Sequence, residues 1–374
     1  MKTTVIFPIA IMIIMALLHI GICKRVVKRL DVSKRVYLGI KIFVILNFIG
    51  IIGYIVGRYF ITISNDLYFI FSTSLGIGFL FFVTIVLYEF VHILQHSIPF
   101  DNSKREFFKK SSDIGVVAVS GAYWGGAIYG GQKEPIIIDI NLNQNLFEKP
   151  YKIVQISDMH IGGLIDEEFV KKSVKRINNL DADFITITGD LIDLPVKDIK
   201  DCLSHLSNLK SKFGTFYIVG NHEYFHGIED AISYVKSIGI TVLENNSIEV
   251  GDKNRRFNIA GLYDYFGYKV DKFIPDTQKV KKSLTPNIPT LLLMHQPKQI
   301  IELDNLKPNL ILSGHTHGGQ IFPFSYLVKL NQIYVKGLHK LSNKEAIYVN
   351  SGIGFWGPKM RLGSSSEITL IYWS

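Results

Sequence analysis

Leu312-Ser313-Gly314-His315-Thr316-His317-Gly318-Gly319-Gln320 follows a short apolar run and sets two imidazoles two residues apart in a glycine-rich turn. Neutral imidazole is the commonest side-chain ligand of divalent transition metals, and small neighbours let the backbone bend so that two rings reach two ions in one pocket. Taken alone, the stretch reads equally as a surface loop with incidental histidines. The sequence around it separates the two readings and sets the fold.

From Gln132 onward, β-rich runs alternate with polar helical segments. The runs are Ile153 to Ser157, Phe184 to Thr188, Thr215 to Val219, Thr241 to Leu243, Phe257 to Ala260, Thr290 to Met294, Leu310 to Leu312 and Ala346 to Val349. Helical segments fall at Asp166 to Asn179, Lys197 to Leu209 and Ile228 to Ile238. Buried Ile/Val-rich strands alternating with helices predict an α/β domain of layered sheets, with ligands at the carboxyl ends of the strands. No internal repeat, low-complexity tract or glycine-rich nucleotide fingerprint is present.

The candidate ligands follow that rule. Asp158 and His160 come just after the first run, Gly189 and Asp190 after the second, and Gly220, Asn221, His222 and Glu223 after the third. His295 follows Thr290 to Met294, and His315 and His317 follow Leu310 to Leu312. Scattered surface polar residues would not track strand ends in this way. Two divalent ions about 3.5 to 4 Å apart need a carboxylate between them, and Asp190 is the natural bridge. Oxygen ligands mixed with imidazoles suit Mn, Fe or Zn rather than Ca. Water between such ions ionises near neutral pH and attacks phosphorus, so no side-chain nucleophile is required.

The front of the chain is of another kind. The 374 residues are 48% hydrophobic with positive mean hydropathy, more than a soluble enzyme carries. Residues 1 to 111 hold 13 Lys/Arg and 5 Asp/Glu, net +8; the rest hold 28 and 27, net +1. The basic excess therefore flanks apolar segments, and the near-neutral remainder argues against nucleic acid as a partner. Cys23 and Cys202 are the only cysteines and sit in unrelated segments, so neither a structural disulfide nor a thiolate metal site is expected.

Val5 to Cys23 is an uncharged run that as a helix rises roughly 28 Å, enough to span a bilayer. A cleaved signal is the alternative, but only Lys2 precedes the run and no small-residue cleavage site follows; Ile22 before Cys23 also argues against a lipoprotein. Lys24, Arg25, Lys28, Arg29, Lys34 and Arg35 make the next loop cytoplasmic and the N-terminus external. Tyr37 to Gly57 and Leu67 to Tyr88 are the second and third spans. Glu89, His92 and His96 then share a helical face, as an interfacial polar stripe or a second metal site.

Ser103 to Lys110 resembles an internal twin-arginine export signal with Lys104 where the first arginine would stand; it also reads as a basic cytoplasmic loop. Ile114 to Gly131 follows, uncharged and glycine-rich. Read as a span, it places residues 132–374 outside the cytoplasm, the expected side; a re-entrant segment would leave them on the cytoplasmic face. Residues 1–131 are thus expected to form a membrane domain of three to four helices in the plasma (inner) membrane, and 132–374 a catalytic domain.

Asp158-Met159-His160, Gly189-Asp190, Gly220-Asn221-His222-Glu223, His295 and Gly314-His315-Thr316-His317 resemble, in order, the five signature blocks of the calcineurin-like metallophosphoesterase superfamily. The resemblance covers about residues 150 to 374 and implies a two-sheet sandwich flanked by helices. It gives Asp158, His160, Asp190 and His317 to one divalent ion and Asp190, Asn221, His295 and His315 to a second. It makes His222 the catalytic group that protonates the leaving oxygen, or a residue that only supports the ligands.

Gly318-Gly319-Gln320 and the membrane-spanning front end resemble the bacterial branch that includes UDP-2,3-diacylglucosamine hydrolase-like proteins. That branch implies a lipid-linked phosphoester or pyrophosphate, in phospholipid or lipid A metabolism. Tyr224, His226, Tyr263, Asp264 and Arg361 are candidate substrate contacts, each equally readable as structural. Asp193 reads as a loop carboxylate or one that holds a ligand from behind. The rival functions are an extracytoplasmic nucleotidase or nuclease, and a catalytically idle membrane sensor; the second would show loss of the bridging Asp or of His222, and neither is missing.

Overall fold

The computed structural model describes residues 3–59, 61, 63–97 and 101–374. The chain divides into two units, Met1–Gln132 with Gly357–Met360, and Lys133–Trp356 with Arg361–Ser374.

The first unit is helical: α1 Thr3–Arg25, α2 Lys34–Tyr59, α3 Asn65–Ser97 and α4 Asn102–Gln132. Pro8–Arg29, Lys34–Arg58 and Asn65–Ser97 are long and apolar enough to cross a membrane. Several of their polar side chains are paired inside the unit. Asn47 Nδ2 donates to the Ser74 carbonyl at 3.1 Å, and Asn47 Oδ1 lies 3.0 Å from His19 Nε2, so α1, α2 and α3 share one network. Such intramembrane hydrogen bonds stabilise helix association where no hydrophobic force acts between helices.

The basic segment Ser103 to Lys110, expected as a loop, is helical. The Asp101 carboxylate accepts from the Lys104 N–H at 2.9 Å, and the good helix formers behind it carry α4 unbroken from Asn102 to Gln132. α4 is not among the helices apolar enough to cross a membrane. Glu89 accepts from Arg29 at 3.1 Å and His96 Nδ1–H donates to the His92 carbonyl at 2.9 Å; among the described residues no ligand group for a metal includes them.

The second unit is a sandwich of two six-stranded mixed sheets. Its elements run β1 Ile136–Leu142, β2 Tyr151–Ile156, α5 Glu167–Asn178, β3 Phe184–Thr188, α6 Val196–Ser204, β4 Thr215–Ile218, α7 Asn221–His226, α8 Ile228–Ser237, β5 Thr241–Val242, β6 Asn246–Val250 and β7 Phe257–Gly261. They continue with α9 Gly267–Val270, α10 Thr277–Ser283, β8 Thr290–Leu293, β9 Leu310–Ser313, α11 Phe324–Gln332, β10 Gly337–Lys340, β11 Ala346–Val349 and β12 Glu367–Trp373. One sheet has the order β1-β12-β2-β3-β4-β5, the other β10-β11-β9-β8-β7-β6.

Strand alternation builds three apolar layers. Tyr151, Ile153, Phe184, Phe216, Leu291, Leu293, Leu310 and Trp373 fill the space between the sheets. Val154, Ile156, Ile185 and Ile187 face the other way, under Val170, Val174 and Ile177 of α5 and Ile232 and Val235 of α8. Leu292, Ile311 and Ile347 form the outer layer of the second sheet. Because both faces are covered, β3, β4, β8 and β9 are buried at every position rather than at alternate ones.

The eight expected strands are present with ends shifted by a residue or two. β1, β6, β10 and β12 were not expected. β1, β6 and β10 lie at sheet edges, where one side stays half-exposed and the pattern weakens. β12 is wholly interior, between β1 and β2, and has no ligand-bearing loop behind it to draw attention to it.

Candidate metal centre

β2, β3 and β4 run parallel in one sheet and β8 and β9 in the other, so five loops leave the sandwich at one edge. The loops are bonded to one another. Asp158 N–H donates to the Gly189 carbonyl and His160 N–H to the Asp190 carbonyl, both at 3.0 Å, while Gly314 N–H donates to the His295 carbonyl at 2.9 Å. Across the sheets, His315 N–H donates to the Asp158 carboxylate at 2.9 Å and His295 Nδ1–H to the Thr188 carbonyl at 2.7 Å.

The backbone turns sharply to do this. Asp158, His160, Asp190, His315 and His317 all have positive φ, between 48° and 70°. Such conformations are costly for residues with a Cβ and cluster where a site is over-determined by its surroundings. Gly314 makes room for the closest approach: a Cβ there would lie 1.8 Å from Ser157 Oγ and 2.3 Å from Asp158 Oδ2.

Three groups of potential ligands result: Asp158 with His160 and His317, Asp190 with His295 and His315, and His160 with Asp193 and His222. His160 Nε2 stands 3.0 Å from His317 Nε2 and 3.9 Å from Asp190 Oδ2. His295 Nε2 stands 3.2 Å from the same Asp190 oxygen and 3.3 Å from His315 Nδ1. Asp190 Oδ2 therefore faces a ring nitrogen from each of the first two groups. Asn221 Oδ1 is buried with no hydrogen-bond partner among the described residues. A buried amide oxygen left alone costs about 1 to 3 kcal/mol, and a cation would satisfy it.

The proton inventory makes the same demand. His160 Nδ1–H is committed to Asp193 at 2.8 Å and His295 Nδ1–H to Thr188, so each Nε2 faces carboxylate oxygens and other ring nitrogens. Burial would lower the His295 imidazole, but Asp190 and Asp158 beside it hold it well above the usual histidine range, so a proton stands there where a cation would otherwise satisfy the carboxylates. Burial pushes His315 down to about 3, aided by the charge of His295; burial with His160 and Arg361 holds His317 well below the usual histidine range. Both are thus neutral, the form that binds metal. Burial would raise the Asp190 carboxyl, but His295 and His222 beside it hold it well below the carboxylate range. The residues present fit a pair of divalent ions.

Asp193 is the residue behind the site. Its Oδ1 accepts from His160 Nδ1 at 2.8 Å and from His222 Nδ1 at 2.5 Å. Burial would raise it, and the two imidazoles hold it well below the carboxylate range. It fixes one tautomer in a ligand and the same tautomer in His222, whose Nε2 faces Asp190 Oδ2 at 3.9 Å.

Glu223 has a role the sequence reading missed. Its carboxylate accepts from Leu191 N–H at 2.7 Å, Gly220 N–H at 2.6 Å, and Asp190 and Ile192 N–H at 3.2 and 3.3 Å, clamping the loop of Asp190 to the loop of Asn221. An acid three residues after a glycine N-cap was the available signal.

The suggested substrate contacts divide. Tyr263 donates to Glu244, and Asp264 is wholly buried against Gln296 and Phe266 N–H. Arg361 is buried too, donating to the His317, Ser351, Gly352 and Gly354 carbonyls, so it braces the loop behind His317 instead of meeting substrate. Tyr224 donates to the Phe273 carbonyl at 2.6 Å. His226 ends α7, its ring 6.2 Å from that of His222. Two exposed neighbours of the site are apolar: Phe225, 54% exposed with its ring 5.4 Å from His222, and Leu194 beside Asp193.

Residues 151–319 match the family model described as calcineurin-like phosphoesterase. An uncharacterized metallophosphoesterase of Helicobacter pylori is 39% identical over 310 residues, 82% of either chain. One from Campylobacter jejuni is 32% identical over 98% of this chain and 97% of its own. A bovine transmembrane protein with a metallophosphoesterase domain is 32% identical over 58% of this chain and 52% of its own.

Proposed function

We propose, on the premise that this chain belongs to the calcineurin-like metallophosphoesterase family, that it is a membrane-bound dinuclear phosphohydrolase cleaving a phosphodiester or pyrophosphate in a lipid-linked substrate. Metal-dependent phosphoester hydrolysis is the family's chemistry and the chain's own. The two ions, the lipid linkage and the roles below are our reading.

Asp158, His160, Asp190 and His317 would hold one ion, and Asp190, Asn221, His295 and His315 the other. Mn, Fe and Zn suit this mixed set. Bound there, the ions supply an activated water and screen the charge that builds on the phosphoryl oxygens. The protein's part is to hold the ligands and move one proton. Asp193 keeps the Nδ1 proton of His222 in place, so the Nε2 proton is the one given to the leaving oxygen. Asp190 N–H and the neighbouring loop amides stay fixed by Glu223 while this happens.

The observation that carries the lipid reading is the apolar rim. Phe225 and Leu194 stand exposed beside His222 and Asp193, where a soluble phosphate substrate would favour cations, and the same chain has three bilayer-length helices. A UDP-2,3-diacylglucosamine-like pyrophosphate is one member of the proposed class. The test is hydrolysis by the full-length protein in mixed micelles with added Mn. Turnover of a lipid phosphodiester or pyrophosphate well above that of its deacylated headgroup supports the reading; equal or better turnover of soluble nucleotides would replace it with a nucleotidase.

A further inference from the structure

α11, Phe324–Gln332, is built inside out. Gln332 is 3% exposed, donating to Gln296 Oε1 at 3.3 Å and facing Lys298 N–H, while Leu327, Leu330 and Tyr326 are 60%, 86% and 65% exposed. Positions 326, 327 and 330 are neighbours on one helical face, and Phe322, Phe324 and Ile333 extend it at either end. In water each of these side chains loses the burial that would stabilise the fold, and together they exceed the scattered apolar residues of an ordinary surface.

The electrostatics around the face are one-sided. Residues 305–344 contain five lysines and no aspartate or glutamate. Lys329 within the helix, Lys336 just after it and Lys340 on β10 are exposed. An amphipathic surface of Leu, Tyr and Phe with lysines at its margin fits the boundary of a lipid bilayer, where rings and leucines enter the acyl region and ammonium groups remain among anionic headgroups. The covalent link to three bilayer-length helices keeps a membrane at high effective concentration for this unit.

We infer that the exposed face of α11 is a bilayer-contact surface of the catalytic unit, with anionic lipid as its partner. It is joined to the metal loop by short contacts: Thr316 Oγ1 donates to the Val335 carbonyl, and Gly319 packs directly on Ser325. α11 therefore fixes how the His315-Thr316-His317 turn is presented to the membrane surface. The inference holds whatever ester is cleaved, because it rests on the helix and its lysines rather than on the substrate proposed above.

The experiment uses full-length protein with Cys23→Ser and Cys202→Ser, carrying Leu330→Cys or Leu327→Cys labelled with an environment-sensitive fluorophore, in nanodiscs of phosphatidylcholine with or without phosphatidylglycerol. Lys210→Cys, on the exposed segment before β4, is the control. The expected result is a blue shift at 327 and 330, with strong quenching by acyl-brominated lipid, no quenching at 210, and loss of quenching when Lys329→Glu and Lys336→Glu are added. Quenching equal at all three positions, or insensitive to the lysines and to phosphatidylglycerol, overturns the inference. A water-exposed signal overturns it as well, and cross-linking of 330 between copies would assign the face to self-association instead.

Discussion

Asp193 Oδ1 lies 2.5 Å from His222 Nδ1 and, with the same oxygen, 2.8 Å from His160 Nδ1. One carboxylate would thus serve the proposed proton donor and a proposed ligand together, so its removal is expected to have two separable effects. Asp193→Ala should weaken metal binding by about 10- to 100-fold through His160. At saturating metal it should still lower kcat, because His222 loses its fixed tautomer. Titration of activity against Mn separates them: full recovery of kcat at high metal would remove Asp193 from the proton transfer.

His222→Ala should lower kcat by roughly 10² to 10⁴ while leaving metal content near that of the wild type. Metal analysis and initial rates on the same preparation read both. Parallel loss of metal and rate would make His222 a ligand.

Asp190→Asn removes the charge at Oδ2, the atom that faces both His160 and His295, while keeping the side chain's shape. Turnover should vanish, with the protein still folded and in the membrane fraction. Substantial activity with metal retained would contradict a bridging role.

Glu223→Gln exchanges one acceptor oxygen for an amide that meets backbone N–H donors. Two of the four loop hydrogen bonds should fail, a loss of about 2 kcal/mol in a fully buried position. A lowered Tm of the metal-free protein is the expected readout; an unchanged Tm would mean the loops hold without the clamp.

Three spans with an external N-terminus return the chain to the side of the basic segment Lys24 to Arg35. The catalytic unit should then be protected from protease in intact cells and cut after lysis. Cleavage in intact cells would make α4 a fourth crossing.

The candidate ligands are readable from sequence because the carboxyl ends of parallel strands are where such a fold presents its loops, and five of the strand runs are followed within three residues by an Asp, Asn or His. Geometry behind the ligands was less readable. Asp193 showed only as an acid three residues after Asp190, since what matters is that His160 and His222 converge on one oxygen from separate loops. Arg361 looked available to substrate, yet its guanidinium is spent on carbonyls that adjacent loops bring together. The basic segment before Ile114 read as a loop because charge was weighed above helix propensity, and the Asp101 cap settled it as helix.

Five loops that assemble a two-ion site should hold a fixed amount of metal. Full-length protein is stripped with chelator, reloaded with Mn, Fe or Zn, freed of excess and assayed for metal per chain. Two ions per chain are expected for the wild type, with a marked loss of bound metal on His317→Ala or His295→Ala. Failure of the wild type to retain any of the three metals, or retention untouched by both substitutions, would contradict a two-ion site.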